Sequence, residues 1–391
     1  MQRCEDSVWR EARMKISRME VSLHRLPLKK PWGDSTHRIT HIELILCKLS
    51  TDTPHNGVGY SYTVGSGGAA VATLMRTYLT PIVVGEDPSY VERLWHRLWQ
   101  ECHDAGARGI GGLAINAIDV ALWDLAGKTA GKPLFQLLGG ARERIAAYGS
   151  GVNLNLSQDE LLAQVEGWLS RGYEAVKVKV GSKDPDEDAE RVGAVRELIG
   201  WKRRLMVDAN QAWTVSEAVT RTRMLEPYRP YWIEEPLISD DVLGHARLRG
   251  AVSTAIAVGE NIHSRFEMAT YVQLGAVDVV QADVVRIGGI TEWLKVAHMA
   301  DAFNLKVAPH FVLELSGSVL CAVPNALILE DVEDGSLTEL GVLEEPLPVK
   351  NGYWAPPRRP GHGIVFGQSA LDKTEIRGEE LEARATRQYD L

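Results

Sequence analysis

The stretch YEAVKVKVGS, residues 173–182, is where the reading of the fold begins. Val176, Val178 and Val180 alternate with Lys177 and Lys179, the period-2 pattern of a strand, and Gly181 ends the run. The alternation puts both lysines on one side. A buried ammonium ion without partners is costly and responds by losing its proton, so such a pair is either solvated at a sheet edge or set opposite acids. The surrounding chain has to supply those acids.

Working outward from residue 173, short apolar runs of the same kind recur from about residue 142 onward. They are RIAAYGSG (144–151), AVKVKV (175–180), RLMVDAN (204–210), YWIEEP (231–236), AIAVGE (255–260), DVVQAD (278–283), LKVAPH (305–310) and ALILE (326–330). Amphipathic segments lie between them. In SQDELLAQVEGWLSRG, Leu161, Leu162, Val165 and Leu169 recur at helical spacing behind Ser157, with Glu160 placed to complete a capping box. Eight strands alternating with helices predict a parallel sheet, most simply a closed barrel of βα units. An open doubly wound sheet is the alternative, but no strand is followed by G-x-G-x-x-G. The cluster GIGGLA (109–114) has no such strand before it and reads as a loop.

The first 140 residues differ, with strand-like MKISRMEVSLHRLPL and HIELILCKLST followed by the helical AINAIDVALWDLAGKTAG. This predicts an α+β portion over 1–140, the barrel over 141–340, and a segment over 341–391 that returns to pack on the first portion. The last 20 residues are charged and expected to fray.

Composition narrows the function classes. A formal net charge of −9 without a long basic run argues against nucleic acid or an anionic membrane as partner and leaves small molecules. Cys4, Cys47, Cys102 and Cys321 show no framework spacing and read as free thiols of a reducing compartment. The N-terminus is charged where a signal peptide would be apolar, and no uninterrupted apolar stretch reaches the roughly 18 residues of a membrane span, so cytoplasm is the expected location.

The ends of the predicted strands carry the chemistry. Asp208 and Asn210 close the third, Glu234 and Glu235 the fourth, Glu260 and Asn261 the fifth, Asp283 the sixth, His310 the seventh and Glu330 the eighth. In such a barrel these ends converge on one mouth. Asp208, Glu234 and Glu260 are spaced 26 positions apart, one βα unit each, so three carboxylates come to one level. Any single acid there could cap a helix, but three together repel and call for a hard divalent cation. An all-oxygen set favours Mg²⁺, allows Mn²⁺ and disfavours Zn²⁺. Lys179 and His310 then flank the metal strands as two bases for α-proton chemistry. Lys177 should lower the pKa of Lys179, and Asp283 should orient His310.

These residues resemble the enolase superfamily, in its mandelate racemase-like group. The matching segments are KVKV, VDAN, WIEEP, VGEN, DVVRIGGIT and APHF, with AIDVALWDLAGKTAGKPLFQLLGG resembling the end of that family's capping domain. The resemblance spans nearly the whole chain. It implies a (β/α)7β modified barrel with an α+β cap, which strand rhythm alone does not distinguish from eight full units. It also implies Mg²⁺ on Asp208, Glu234 and Glu260, Lys179 and His310–Asp283 as the bases, and homo-oligomers. Glu330 matches an acid that hydrogen-bonds the substrate carboxylate in its enolate-like state.

The same constellation serves racemisation or dehydration. A lid loop over LHRLPLKKPWGDSTHRIT (23–40), with Lys29, Lys30, His37 and Arg38, is polar and basic, which fits a polyhydroxylated or doubly acidic sugar acid better than an aryl acid. Lys30, His37, Arg38 and Asn210 are the expected substrate contacts. Within the group the pattern looks most similar to dehydratases of talarate or galactarate. A racemase or epimerase of a 2-hydroxy acid, and a barrel that binds metal without catalysis, are the alternatives. An aldolase would need one Schiff-base lysine and no trio of acids.

Overall fold

The computed structural model describes residues 14–377. Cys4, the N-terminal charged stretch up to residue 13 and the expected fraying beyond residue 377 lie outside that range. The other three cysteines are free and buried.

Three antiparallel strands open the chain: β1 (Ile16–Gly33), β2 (Arg38–Thr51) and β3 (Asn56–Val64). Helices Val91–Gly106 and Ile110–Ala130 follow and cover one face of the sheet. Gly57 and Gly59 let β3 lie directly on the longer helix, since a Cβ at Gly59 would stand 2.1 Å from the Ala117 carbonyl. That helix is long and apolar enough to cross a membrane, yet 78% of its apolar window is buried inside the protein, where it also holds Asp119 and Asp124.

Eight strands then form the barrel: β4 (Ile145–Ser150), β5 (Ala175–Lys179), β6 (Arg204–Asp208), β7 (Ile233–Glu234), β8 (Ile256–Val258), β9 (Val279–Val280), β10 (Lys306–Val307) and β11 (Leu329–Val332). They neighbour one another in the order β10-β9-β8-β7-β6-β5-β4-β11, all parallel. A parallel bridge between Val307 and Ala326 closes the ring. Seven longer helices separate the eight strands, and β11 runs on without one, which is the (β/α)7β form. Ser157 and Glu160 form the reciprocal capping box that starts the first of these helices.

Alternation along the strands explains the two lysines. Val176, Val178 and Val180 face outward into the apolar layer beneath the helices, so Ala175, Lys177 and Lys179 face the barrel axis. Met206 with Asp208, and Trp232 with Glu234, follow the same rule. Tyr148, Ala175, Met206, Trp232, Ala257, Val279, Ala308 and Ile328 fill the lower interior, leaving the polar groups to the mouth.

After β11 the chain adds β12 (Tyr353–Trp354), antiparallel to β4. It then crosses to the first portion: Leu134 N–H donates to the Gly361 carbonyl at 2.7 Å, and Ile376 N–H donates to the Leu23 carbonyl at 2.8 Å.

Two local expectations are corrected. Residues 23–40 are not a loop. β1 continues to Gly33 and β2 resumes at Arg38, with a bulge between Pro27 and Trp32 and a tight turn over 34–37. GIGGLA is not a loop either, because the helix starts at Ile110 and its first turn contains Gly111 and Gly112.

Candidate active site

Strand register sets the level of the site. Lys179 pairs with Asp208 across β5 and β6, and Asp208 with Glu234 across β6 and β7, so the three side chains emerge side by side. Glu260 enters just past β8, and the candidate ligand atoms of Asp208, Glu234 and Glu260 all lie within 4.8 Å of one another. All three are buried.

Lys177 sits beneath this trio and is 1% exposed. Its ammonium group lies 2.6 Å from Glu234 Oε1, 2.7 Å from Glu330 Oε1 and 3.5 Å from Asp208 Oδ2. Burial opposes its charge, but these acids together hold its pKa well above the ordinary lysine value. Lys179 Nζ donates to Asp208 Oδ2 at 2.5 Å. Burial and Lys177 push its pKa down, and Asp208, Glu260 and Glu234 outweigh them, so it stands above the ordinary value. Lys177 does lower it, as expected, but Asp208 is closer to Lys179, opposite in sign, and outweighs it.

The acids share the strain of one another's company. Burial raises Glu234 to about 7, with Asp208, Glu330 and Glu260 adding to it against Lys177. Its Oε2 accepts hydrogen bonds from Gln281 Nε2 at 2.7 Å and Trp232 Nε1 at 3.1 Å. Burial likewise works on Asp208, but Lys179 and Lys177 hold its pKa below the usual carboxylate range. Next to them, burial and three neighbouring acids push the Glu235 carboxyl far up, and Asn261 and Gln211 donate to it. Three mutually repelling buried carboxylates with only oxygen donors fit a hard divalent cation, whose charge would offset their repulsion. Asn210 adds a buried Oδ1 with no hydrogen-bond partner among the described residues, beside Asp208, whose Oδ1 accepts the Asn210 N–H at 3.0 Å.

On the far side His310 Nδ1 lies 2.8 Å from Asp283 Oδ2, and His310 Nε2 lies 3.3 Å from Glu260 Oε2. Burial opposes the imidazolium, but Glu260 and Asp283 raise the pKa of His310 above its ordinary value. Lys179 and His310 therefore reach the same carboxylate trio through Asp208 and Glu260, at its two ends. Glu330 belongs to neither base. Its Oε1 takes Ser150 Oγ and Lys177 Nζ, each at 2.7 Å, and its Oε2 takes the Phe311 N–H at 2.8 Å. Lys177 and His310 hold it ionised despite burial. Such a group accepts hydrogen bonds, and here it clamps Lys177.

The expected lid contacts Lys30, His37 and Arg38 are exposed on the β1–β2 hairpin. Lys29 pairs with Asp334 at 2.8 Å, and Lys30 is exposed within electrostatic reach of Glu160. His37 is exposed and bonds to Thr36 within the turn, and Arg38 is exposed at the start of β2. Asp34 and Ser35 of the same hairpin face the mouth. Ser35 Oγ donates to the carbonyls of Ala209 and Asn210 at 3.1 and 3.3 Å, and the Asp34 carboxylate feels Lys179. Turn N–H groups, His37 and Lys179 hold Asp34 at about 2 against the effect of burial. Sequence reading also missed Tyr62, Gln281 and Arg286. The last two lie inside quoted segments, and Gln281 shares the strand face of Asp283, so alternation could have found it.

A capped (β/α)7β barrel with three acids at one level and a base at each side defines a class of metal-dependent enzymes that act beside a carboxylate. Residues 18–139 match the mandelate racemase / muconate lactonizing enzyme N-terminal domain, and residues 160–370 match the enolase C-terminal domain-like family. The chain belongs to the enolase superfamily, in its mandelate racemase / muconate lactonizing enzyme group. It is 38% identical to a 3,6-anhydro-alpha-L-galactonate cycloisomerase from Streptomyces coelicolor, over 92% of this chain and 99% of that protein. It is 34% identical to L-talarate/galactarate dehydratase from Salmonella typhimurium, over 93% and 92%. The crystal structure of the Salmonella dehydratase liganded with Mg and L-lyxarohydroxamate superimposes with a TM-score of 0.88 at 32% identity, covering 94% of each chain.

Proposed function

We propose that this chain is a Mg²⁺-dependent acid-sugar dehydratase that removes the proton α to a sugar-acid carboxylate and expels the β-oxygen, giving a 2-keto-3-deoxy acid. The observation that carries this is the placement of two bases at opposite ends of one oxygen-only trio, Lys179 against Asp208 and His310 against Glu260. Asp208, Glu234 and Glu260 would hold the ion. When bound, Mg²⁺ supplies the positive charge that stabilises the negative charge developing on the substrate carboxylate.

Lys179 or His310 takes the α-proton, according to the configuration of the substrate at C2. The electron pair moves toward the carboxylate and then out through the β-carbon. The opposite conjugate acid gives its proton to the departing oxygen, and the enol left behind tautomerises to the ketone. Asp283 keeps His310 aimed by accepting from Nδ1, and Lys177 holds Glu234 and Glu330 in place from below. Asn210, with its unpartnered oxygen, is the proposed contact for a substrate hydroxyl.

The β-oxygen has two possible origins. A free hydroxyl leaves as water, whereas a ring oxygen stays attached and the ring opens without loss of mass. The 38% identity to a cycloisomerase favours keeping this second reading, since the proton chemistry is the same. The test is a screen of aldarates, with galactarate and talarate first, together with aldonates and 3,6-anhydrogalactonate. Incubation is with Mg²⁺, with semicarbazide detection of the 2-keto product and mass spectrometry. A keto product lighter by one water supports dehydration, and one of unchanged mass supports ring opening. Exchange of the α-proton without any keto product would replace both with a racemase or epimerase.

A further inference from the structure

The orienting carboxylate of the dyad has a partner from the other domain. Tyr62, on β3 of the cap, reaches across to donate its hydroxyl to Asp283 Oδ2 at 2.5 Å, the same oxygen that His310 Nδ1 approaches at 2.8 Å. Asp283 Oδ1 is separately occupied by the N–H groups of Val285 at 2.7 Å and Arg286 at 3.1 Å. Every hydrogen-bonding direction of the carboxylate is thereby filled, and only the one facing Tyr62 comes from outside the barrel.

The phenol is also fixed by its surroundings. Tyr62 is 4% exposed. Its ring meets Phe311, the residue after His310, edge to face at 4.9 Å, and the Arg286 guanidinium lies 5.9 Å from its centroid. Arg286 continues to Glu260 Oε1 at 3.1 Å and Asn261 Oδ1 at 3.0 Å. Burial keeps Tyr62 a neutral phenol, and Asp283 is held ionised, so the proton between them belongs to Tyr62. Among the described residues no cap side chain hydrogen-bonds Lys179: its backbone N–H goes to Asn153 and its ammonium to Asp208, both of the barrel, and the cap reaches this side through the backbone pairing of Gly33 with Val152 and Leu154.

We infer that Tyr62 is a positioning residue for one base only: by sharing Asp283 Oδ2 it aims the His310 imidazole, so that this cap side chain sets the alignment of the His310 face of the site and not that of the Lys179 face. This rests on the two-base reading proposed above. A phenol in this place acts through geometry, as partners of orienting carboxylates do in other histidine dyads, and its loss should cost about tenfold on that face.

Tyr62→Phe removes the hydroxyl and keeps the ring against Phe311. The first readout is α-proton exchange in heavy water for two substrates epimeric at C2, assigned to His310 and Lys179 by which of His310→Asn and Lys179→Ala abolishes each. The expected result is about a tenfold loss on the His310-dependent epimer with the Lys179-dependent rate within about twofold. Equal losses on both, or none on either, overturn the inference. The second readout needs no turnover. The low-field proton NMR signal of His310 Nδ1–H, identified by its disappearance in His310→Asn, should move in Tyr62→Phe as His310 becomes the sole partner of Oδ2. An unmoved signal overturns the positional role, whereas a moved signal without exchange in the wild-type protein leaves it standing and removes the two-base reading instead.

Discussion

Replacing Lys177 by methionine should separate the electrostatic role of the buried lysine from any part in proton transfer. Methionine fills a similar volume with an unbranched chain, so the packing term is small. What disappears is the single ammonium group that lies 2.6 Å from Glu234, 2.7 Å from Glu330 and 3.5 Å from Asp208, all of them buried. Removing one partner of a buried ion pair typically costs about 3–5 kcal/mol, because the remaining charge is left in a medium that cannot solvate it. Here two carboxylates in direct contact are orphaned, so the upper part of that range is expected without metal. The assay is thermal unfolding in chelator and again in millimolar Mg²⁺, for the wild-type protein, Lys177→Met, and Lys177→Met with Glu330→Gln. In chelator the single variant should melt well below the wild type, and the double variant should recover part of the loss because one orphaned charge has become an amide. Added Mg²⁺ should raise the single variant more than the wild type, since it replaces positive charge the variant lacks; ion at a hundredfold excess over its Kd contributes about 2.7 kcal/mol in any case. A single variant as stable as the wild type in chelator, or a double variant no better than the single, would refute the view that Lys177 is the counter-ion of this cluster.

Other substitutions probe the remaining parts. Lys179→Ala and His310→Asn should each lower kcat for the keto product by about 10²–10⁴-fold, while leaving Mg²⁺ binding by calorimetry in place; full activity in His310→Asn would remove the two-base scheme. Burial raises Asp119 to about 7 against its bonds from Thr291, so its neutral form belongs to the fold. Its contribution to stability is therefore complete below about pH 4 and lost as pH rises through about 7, on the order of 4 kcal/mol, and Asp119→Asn should flatten that part of the stability–pH curve measured by denaturant unfolding. Gly289 has φ 108°, and a Cβ there would lie 2.4 Å from the Asp119 carboxylate, so Gly289→Ala should cost about 1–3 kcal/mol and expose the cap to limited proteolysis.

The parts of the molecule that were legible in the sequence are those where chemistry repeats with the fold's own period. Asp208, Glu234 and Glu260 recur once per βα unit, and valines alternating with lysines announce which side of β5 faces inward. Contacts between distant segments leave no such trace: Tyr62 and Asp283 are 221 positions apart and nothing in YSYTV points to a carboxylate. The hairpin was hidden for a different reason. Pro27, Pro31 and Gly33 are residues that usually end strands, but the prolines fall at the break in register between Pro27 and Trp32, where missing N–H groups leave no ladder bond unmade. In GIGGLA the glycines let the helix start close to the end of the preceding one, a Cβ at Gly111 standing 2.3 Å from the Gly106 carbonyl. Glu330 was placed on the right strand, but its pairing with Lys177 was not legible, because position along a strand shows which way a carboxylate points and not which cation reaches it.

The division of labour between the two domains follows from where each tie is made. All three candidate metal ligands, and Lys177 beneath them, come from β5–β8 and the turn after β8, so the barrel alone contains the cation site. The cap touches the mouth at two places of different kind. At the Lys179 side the hairpin turn is tied by the Ser35 hydroxyl to two backbone carbonyls and brings the Asp34 charge near the ammonium without a direct bond. At the His310 side the ties are short, buried and numerous. Tyr62 binds Asp283, Trp95 Nε1 donates to the Gly288 carbonyl at 2.8 Å, and Trp123 and Asp119 hold Thr291 at the start of the helix Ile290–Ala302. A buried set of this size moves as one unit with the barrel, whereas the 34–37 turn, flanked by the backbone bonds of Gly33 to Val152 and Leu154, carries fewer side-chain ties. Substrate entry is expected past the 34–37 turn, on the lysine side, where the side-chain ties to the cap are fewer.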